Sequence, residues 1–229
     1  MHYAWLIWSL FFLMFWVIIY LSKPIFRKEM LSISFWTMLL GLSEPLFVPR
    51  YWNPPTLFDL AQRTGFDIES LIFTFALGGT ASVLYKLIYK KDVTKMDAGE
   101  MKHKRHKLHI YILSSPIPIF LALALLTSLN HIYCGIIAMA TGALLTLYCR
   151  PDLKWKIWIG GSLLLIYYAV FFLSLIAVFP DYVSLVWNVK ALTGILFIGI
   201  PVEELMFAFS FGMLWSSLYE HMLWYKIKT

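Results

Sequence analysis

Charge is what this sequence has least of. Of 229 residues only 13 are Asp or Glu and 19 are Lys or Arg, and the charged fraction of 14% is well below the roughly 25% usual in soluble domains. Cysteine is nearly absent. Cys134 and Cys149 both lie in or beside apolar runs, so they read as small core residues, and neither a disulfide framework nor a zinc site is expected. There is no Gly-x-Gly-x-x-Gly and no phosphate loop, which removes a nucleotide or flavin domain. An aspartate-rich metal–diphosphate motif of the kind that polyprenyl transferases place on helices is missing as well. No cofactor and no metal are therefore expected.

What the chain has instead is apolar length. Hydrophobic residues make up 60% and aromatics 18%. Each run of ~20 such residues can cross ~30 Å of hydrocarbon as a helix that satisfies its own backbone bonds. The fold class expected is all-α: a polytopic membrane bundle of about seven transmembrane helices. The net charge of +6 does not point to nucleic acid, because the basic residues gather at the ends of the apolar runs.

The first span runs from Tyr3 to Leu21 and ends at Lys23-Pro24. It is long and lacks a basic start, so it reads as a span and not as a cleavable signal. Leu31 to Val48 forms the second span, with Glu44-Pro45 near its far end, and a loop to Phe66 carries Tyr51-Trp52-Asn53-Pro54-Pro55. The third begins near Ile68 and ends at Tyr89, followed by a strongly basic linker. Within that linker His103-x-x-His106-x-x-His109 has helical spacing. It contains no acid and many basic neighbours, so a solvated loop is the expectation. Leu108 to Leu129 and His131 to Tyr148 make a tight antiparallel pair of spans, Ile157 to Phe179 is the sixth, and the seventh follows Pro201 to about Trp224. Of the 19 Lys and Arg, all but Arg50, Arg63 and Lys190 fall on one side of this arrangement. The positive-inside rule then puts the N-terminus outside and the C-terminus in the cytoplasm of a multi-pass cell-membrane protein. Glu220 and His221 are expected at the cytoplasmic interface.

Three anchors recur in order along the chain. Lys23-Pro24-x-x-Arg27 is echoed by Arg150-Pro151-x-x-Lys154, and Pro45 with Trp52-Asn53 is echoed by Pro180 with Trp187-Asn188 at the same interval. Gly65-x-x-x-Glu69-x-Leu71-x-Phe73 is matched by Gly199-x-x-x-Glu203-x-Leu205-x-Phe207. The implied organisation is a first three-helix repeat over 1–89, a basic linker with a connector helix over 90–130, and a second repeat over 131–229. An even helix offset makes the repeats parallel, related by an axis along the membrane normal. Both acidic motifs then lie at one depth near the outer interface, with a shared cavity between them.

An acid near hydrocarbon costs ~2.5–3.5 kcal/mol on insertion scales and by default marks a functional site. Glu203 and Glu204 follow Pro201 into the first turn of a helix, where a missing N–H costs nothing. With Glu69 facing them they form a coupled group suited to general acid and base chemistry. The bland alternative for any one of them is a helix-terminal acid. Duplication of the motif favours a catalytic set of Glu203, Glu204 and Glu69. Asp67 reads as a helix cap and Glu44 as an interfacial acid. Trp52 and Trp187 read either as interfacial anchors or as rings that stabilise a cation.

The duplicated unit, with Pro201-Val202-Glu203-Glu204 followed by Leu205-x-Phe207, resembles the integral-membrane lycopene cyclase domains of bacterial, archaeal and fungal carotenoid synthesis. The resemblance implies that the two units, separate subunits in some of those proteins, are fused in this chain. The resemblance covers Tyr3 to Tyr89 and His131 to Trp224. It implies proton-initiated closure of a linear ψ-end of lycopene to a β-ionone ring, without net redox change. Glu203, Glu204 and Glu69 are then catalytic, and Trp52, Trp187, Phe73 and Phe207 line the substrate. Its implied partners are an apolar polyene and membrane lipid, with a second copy or other carotenoid-pathway proteins also compatible. Asp67 stands where the family has Pro, and Ser70 where the second Glu would be. Two further readings stay open: hydration of a related end group, and a non-enzymatic lipid-binding or transport protein.

Overall fold

The structure is a computed structural model that describes residues 3–228. Met1, His2 and Thr229, the outermost residues of the two expected repeats, lie outside it. The chain is all-α, 77% helical with few strands. In order, the elements are α1 (Ala4–Ser22), α2 (Arg27–Met38), α3 (Leu60–Thr64), α4 (Ile68–Tyr89), β1 (Val93–Lys95), α5 (Ala98–Met101), α6 (His109–Ser114) and α7 (Pro116–Leu126). They continue with α8 (His131–Cys149), α9 (Lys154–Val178), α10 (Tyr182–Val186), β2 (Leu196–Phe197), β3 (Ile200–Pro201), α11 (Val202–Leu223) and β4 (Tyr225–Ile227).

Four helical stretches, Ala4–Ser22, Ile68–Tyr89, His131–Cys149 and Pro151–Val178, are long and apolar enough to cross a membrane. On α1 alone Ile7, Leu10, Phe11, Met14, Val17, Ile18 and Leu21 are exposed. Apolar surface so continuous is costly in water and natural in lipid. The chain is a membrane protein. The other expected spans have specific interruptions. In the second, α2 gives way at Leu39 to a 3-10 segment, Leu39–Leu46, that contains Pro45. Proline has no N–H for the i→i−4 ladder and clashes with the carbonyl four residues back, so the α-helix cannot run through it. The fourth is broken at Ser115-Pro116 into α6 and α7, and the 11 residues of α7 reach only ~16 Å. α11 is 22 residues long but carries Glu203, Glu204 and Glu220.

Two compact units are present, each drawing on both halves of the chain. The first comprises Met1–Thr80, Asn130–Ile132 and Tyr167–Leu205. In it α1 meets the end of α9 through Trp8, whose indole N–H lies 3.1 Å from both the Phe171 carbonyl and Ser174 Oγ. α2 approaches α4 closely: a Cβ on Gly78 or Gly79 would collide with Thr37 or Ser34, the small-residue packing that lets helices meet in a membrane.

The second unit comprises Ala81–Leu129, Tyr133–Ile166 and Met206–Thr229. β1 pairs antiparallel with β4 there. Its centre is ionic: Glu220 Oε1 lies 2.7 Å from Lys86 Nζ and 2.5 Å from Lys156 Nζ. Glu220 and His221 are 0% and 1% exposed, which overturns their expected place at the interface. Two ammonium groups pull the carboxylate inward, and a buried acid is tolerated only when so paired.

Candidate active site

The acid-bearing turn of α11 is delivered by a hairpin. β2 and β3 pair antiparallel across Ile198 and Gly199, both at positive φ (53° and 80°). Consecutive positive-φ residues make the two-residue turn whose twist suits a hairpin, and glycine takes that conformation without Cβ strain. Gly65 also has φ 80°, as the left-handed cap of α3. The same residue at the same motif position thus bends the chain into the helix that carries Glu69.

Glu69 and Glu203 are held alike. Leu57 N–H donates to Glu69 Oε1 at 2.7 Å, and Thr193 donates to Glu203 Oε1 through its N–H at 2.9 Å and its hydroxyl at 2.7 Å. In each case a backbone amide from the preceding loop fixes one carboxyl oxygen. The other oxygen of Glu69 is buried with no hydrogen-bond partner. Tyr182 has a buried hydroxyl without a partner, and burial together with the Glu69 charge pushes its phenol above the usual range.

Glu204 is held differently. Trp187 Nε1–H donates to its Oε1 at 2.7 Å, Tyr168 O–H donates to its Oε2 at 2.5 Å, and Tyr51 O–H donates to Oε1. Three neutral donors on one buried carboxylate satisfy acceptors that would otherwise be costly to desolvate. Burial and the adjacent Glu204 hold the Tyr51 phenol well above its ordinary range, so it remains a donor. Tyr168 carried no motif and Tyr51 stood out only as part of an aromatic, proline-rich loop; their placement by the fold reveals both as partners of Glu204.

In the other acidic turn Asp67 caps α4. Its Oδ1 accepts from Ser70 N–H at 2.5 Å and its Oδ2 from the Ser70 hydroxyl at 3.0 Å. The two departures from the motif, Asp67 and Ser70, are thus partners in one N-cap. Burial raises the Asp67 carboxyl above its usual range, its hydrogen bonds to Ser70 opposing this. Glu44, expected at the interface, is instead 7% exposed, close to Asp67, Ser70 and Trp52. Proline's interruption of the second span leaves it on a 3-10 segment turned into the protein.

Aromatic rings surround these acids. Trp52 and Trp187 are both buried, not spread at an interface, with ring centroids 5.4 Å apart. Trp5 stands edge-on to Trp52 at 4.7 Å, and Phe73 meets Trp5 at 5.2 Å and Tyr168 at 6.2 Å. Phe207 belongs to the second unit, where its ring meets Phe211 at 5.5 Å. A cavity of about 500 Å³ opens beside Trp187, bounded by Ile176, Pro180, Val183, Leu196 and Lys190. Acids fixed by neutral donors, aromatic faces and an apolar cavity form an environment suited to transferring a proton to an apolar substrate and to sheltering a cation. Three donors with metal-ligand spacing occur outside this site, at His106, His109 and Cys149.

No curated protein and no solved structure matches the chain. Residues 130–222 match the family model described as lycopene cyclase, a stretch that contains Tyr168, Trp187, Glu203 and Glu204. Over that stretch the chain is similar to the lycopene cyclase domain family.

Proposed function

We propose that the protein is a membrane carotenoid cyclase that closes a linear ψ-end of a lycopene-type polyene to a β-ionone ring. In this reading a carboxylic acid protonates the terminal alkene, giving a tertiary cation. A neighbouring alkene attacks the cation to close the six-membered ring, and a carboxylate removes a ring proton. Proton in and proton out balance, so the reaction is an isomerisation of the intramolecular-lyase type, with no oxidant or reductant. The observation that carries it is the set of three donors on Glu204, beside an apolar cavity, with Glu204 and two of the donors, Tyr168 and Trp187, inside the matched stretch.

Roles follow from how each acid is held. Glu204, with both oxygens already accepting, serves as the fixed negative charge opposite the carbocation. Glu203 and Glu69, each fixed by a loop amide through Oε1, serve as the proton donor and acceptor. Trp52, Trp187 and Phe73 supply ring faces to the cation, worth ~2 kcal/mol each when desolvated.

The parallel repeat belongs to the same reading. Lys23 and Arg150 share a backbone conformation (φ −129°, ψ 76° and φ −128°, ψ 68°), each leading into a proline-initiated 3-10 turn, and Gly65 and Gly199 share φ 80°. Seven spans, with the N-terminus outside and the C-terminus cytoplasmic, remain the topology that the charge distribution favours. Expression in lycopene-accumulating cells followed by pigment chromatography tests the function. β-Ring carotenoids are expected from the native protein and unchanged lycopene from Glu203→Gln. Unchanged lycopene from a native protein that is folded and membrane-inserted would remove the substrate assignment.

A further inference from the structure

We propose that the second unit contains a metal site, formed by His106, His109 and Cys149, for a divalent transition ion such as Zn²⁺. The linker histidines alone made a poor ligand set. The fold changes it in two ways. His103 is turned to other work, its Nδ1 accepting from the N–H and Nε of Arg105, and Cys149, at the end of α8, takes its place. Nδ1 of His106 lies 3.3 Å from Cys149 Sγ, and Nδ1 of His109 lies 3.6 Å from the same sulfur. All three donor atoms fall within 4.8 Å of one another.

Those spacings have a geometric meaning. With Zn–N of about 2.0–2.1 Å and Zn–S of about 2.3 Å, a tetrahedral angle separates nitrogen and sulfur ligands by about 3.5 Å. The two observed distances bracket that value before any ion is present. Two imidazoles and a thiolate are borderline-to-soft donors that select Zn²⁺ and its neighbours over Mg²⁺ or Ca²⁺.

Ring packing fixes the orientation of both imidazoles. His109 stacks on Trp224 with ring centroids 3.8 Å apart, and His106 meets the edge of the same ring at 5.1 Å. The nearest cations are engaged elsewhere: Arg150 is gripped by Asp152 at 2.9 and 2.7 Å, and Arg105 by His103. A fourth position is open to water or to His221. That ring lies 4.5 Å from His109, and its Nε2 is buried with no hydrogen-bond partner. On binding, the Cys149 thiol loses its proton to solvent, and thiolate plus M²⁺ leaves a single positive charge. The ion would clip the basic linker to the end of α8, a structural role independent of the acids above.

The test uses the full-length protein in detergent, stripped with a chelator and titrated with Co²⁺. One equivalent should bind, with a thiolate-to-cobalt charge-transfer band and the intense visible bands of four-coordinate cobalt, and Zn²⁺ should bleach both. Cys149→Ser should abolish the charge-transfer band, His109→Ala should weaken binding roughly tenfold or more, and Cys134→Ser should change neither. Zn²⁺ should also raise the Tm of the stripped protein. Absence of the band in the native protein, or its survival in Cys149→Ser, would overturn the site. The native titration decides the matter even where a variant does not fold.

Discussion

Trp52 and Trp187 face each other across a reciprocal backbone bridge: Asn53 N–H donates to the Val186 carbonyl at 2.8 Å, and Asn188 N–H donates to the Tyr51 carbonyl at 2.9 Å. The two Trp-Asn pairs therefore exchange equivalent hydrogen bonds about a local twofold. This pairing has a consequence for Glu204, because Trp187 supports it directly while Tyr51, next to Trp52, supports it from the other strand.

Glu204→Gln should abolish ring formation and also destabilise the protein by about 1–3 kcal/mol. An amide NH₂ would face donors where the carboxylate now accepts from Tyr51, Tyr168 and Trp187. Pigment chromatography and a detergent melting curve measure the two effects. Full activity in this variant would remove Glu204 from the reaction.

Trp187→Phe separates the two services of that residue. The ring face survives and the N–H donor is lost, so cyclisation should fall by about 10²-fold if the hydrogen bond to Glu204 sets the rate. Tyr168→Phe should behave similarly. A Trp187→Phe enzyme as active as the native one would place the importance of Trp187 in its ring alone.

Gly199→Ala tests the hairpin. At φ 80° an L side chain costs roughly 1–2 kcal/mol, and the added Cβ would lie 3.3 Å from Ile176 Cδ1. Activity should fall more than stability, since the turn sets the approach of Glu203 and Glu204. The ratio of product yield to folded protein reads this out.

Asp67→Ala should lower stability by about 1 kcal/mol through loss of the α4 N-cap, visible as a reduced Tm. Retained product formation per folded molecule is expected, because Ser70 and Asp67 bond each other and Glu69 is held separately by Leu57.

Glu220→Gln should be among the most destabilising single changes, costing about 3–5 kcal/mol, since Lys86 and Lys156 would face each other in the interior without their carboxylate. Breaking the exposed pair Glu100–Lys226 should leave the melting curve unchanged. Equal effects from the two would contradict the ionic centre.

Hydropathy and motif spacing already dictate the solvent and mark the acids. Long apolar runs can satisfy their backbones only as helices in lipid, which made a membrane helical protein legible, and carboxylates too costly to leave there by chance marked Glu69, Glu203 and Glu204. Partnership, by contrast, came from packing. Periodicity does not say that Tyr51 and Tyr168, 117 residues apart in number, meet on one carboxylate, that Glu44 and Glu220 turn inward, or that Cys149 joins two histidines of the linker. Those outcomes depend on long-range packing, where a buried polar group must find a partner, and the identity of that partner is set by which helices are adjacent and not by the residues beside it in the chain.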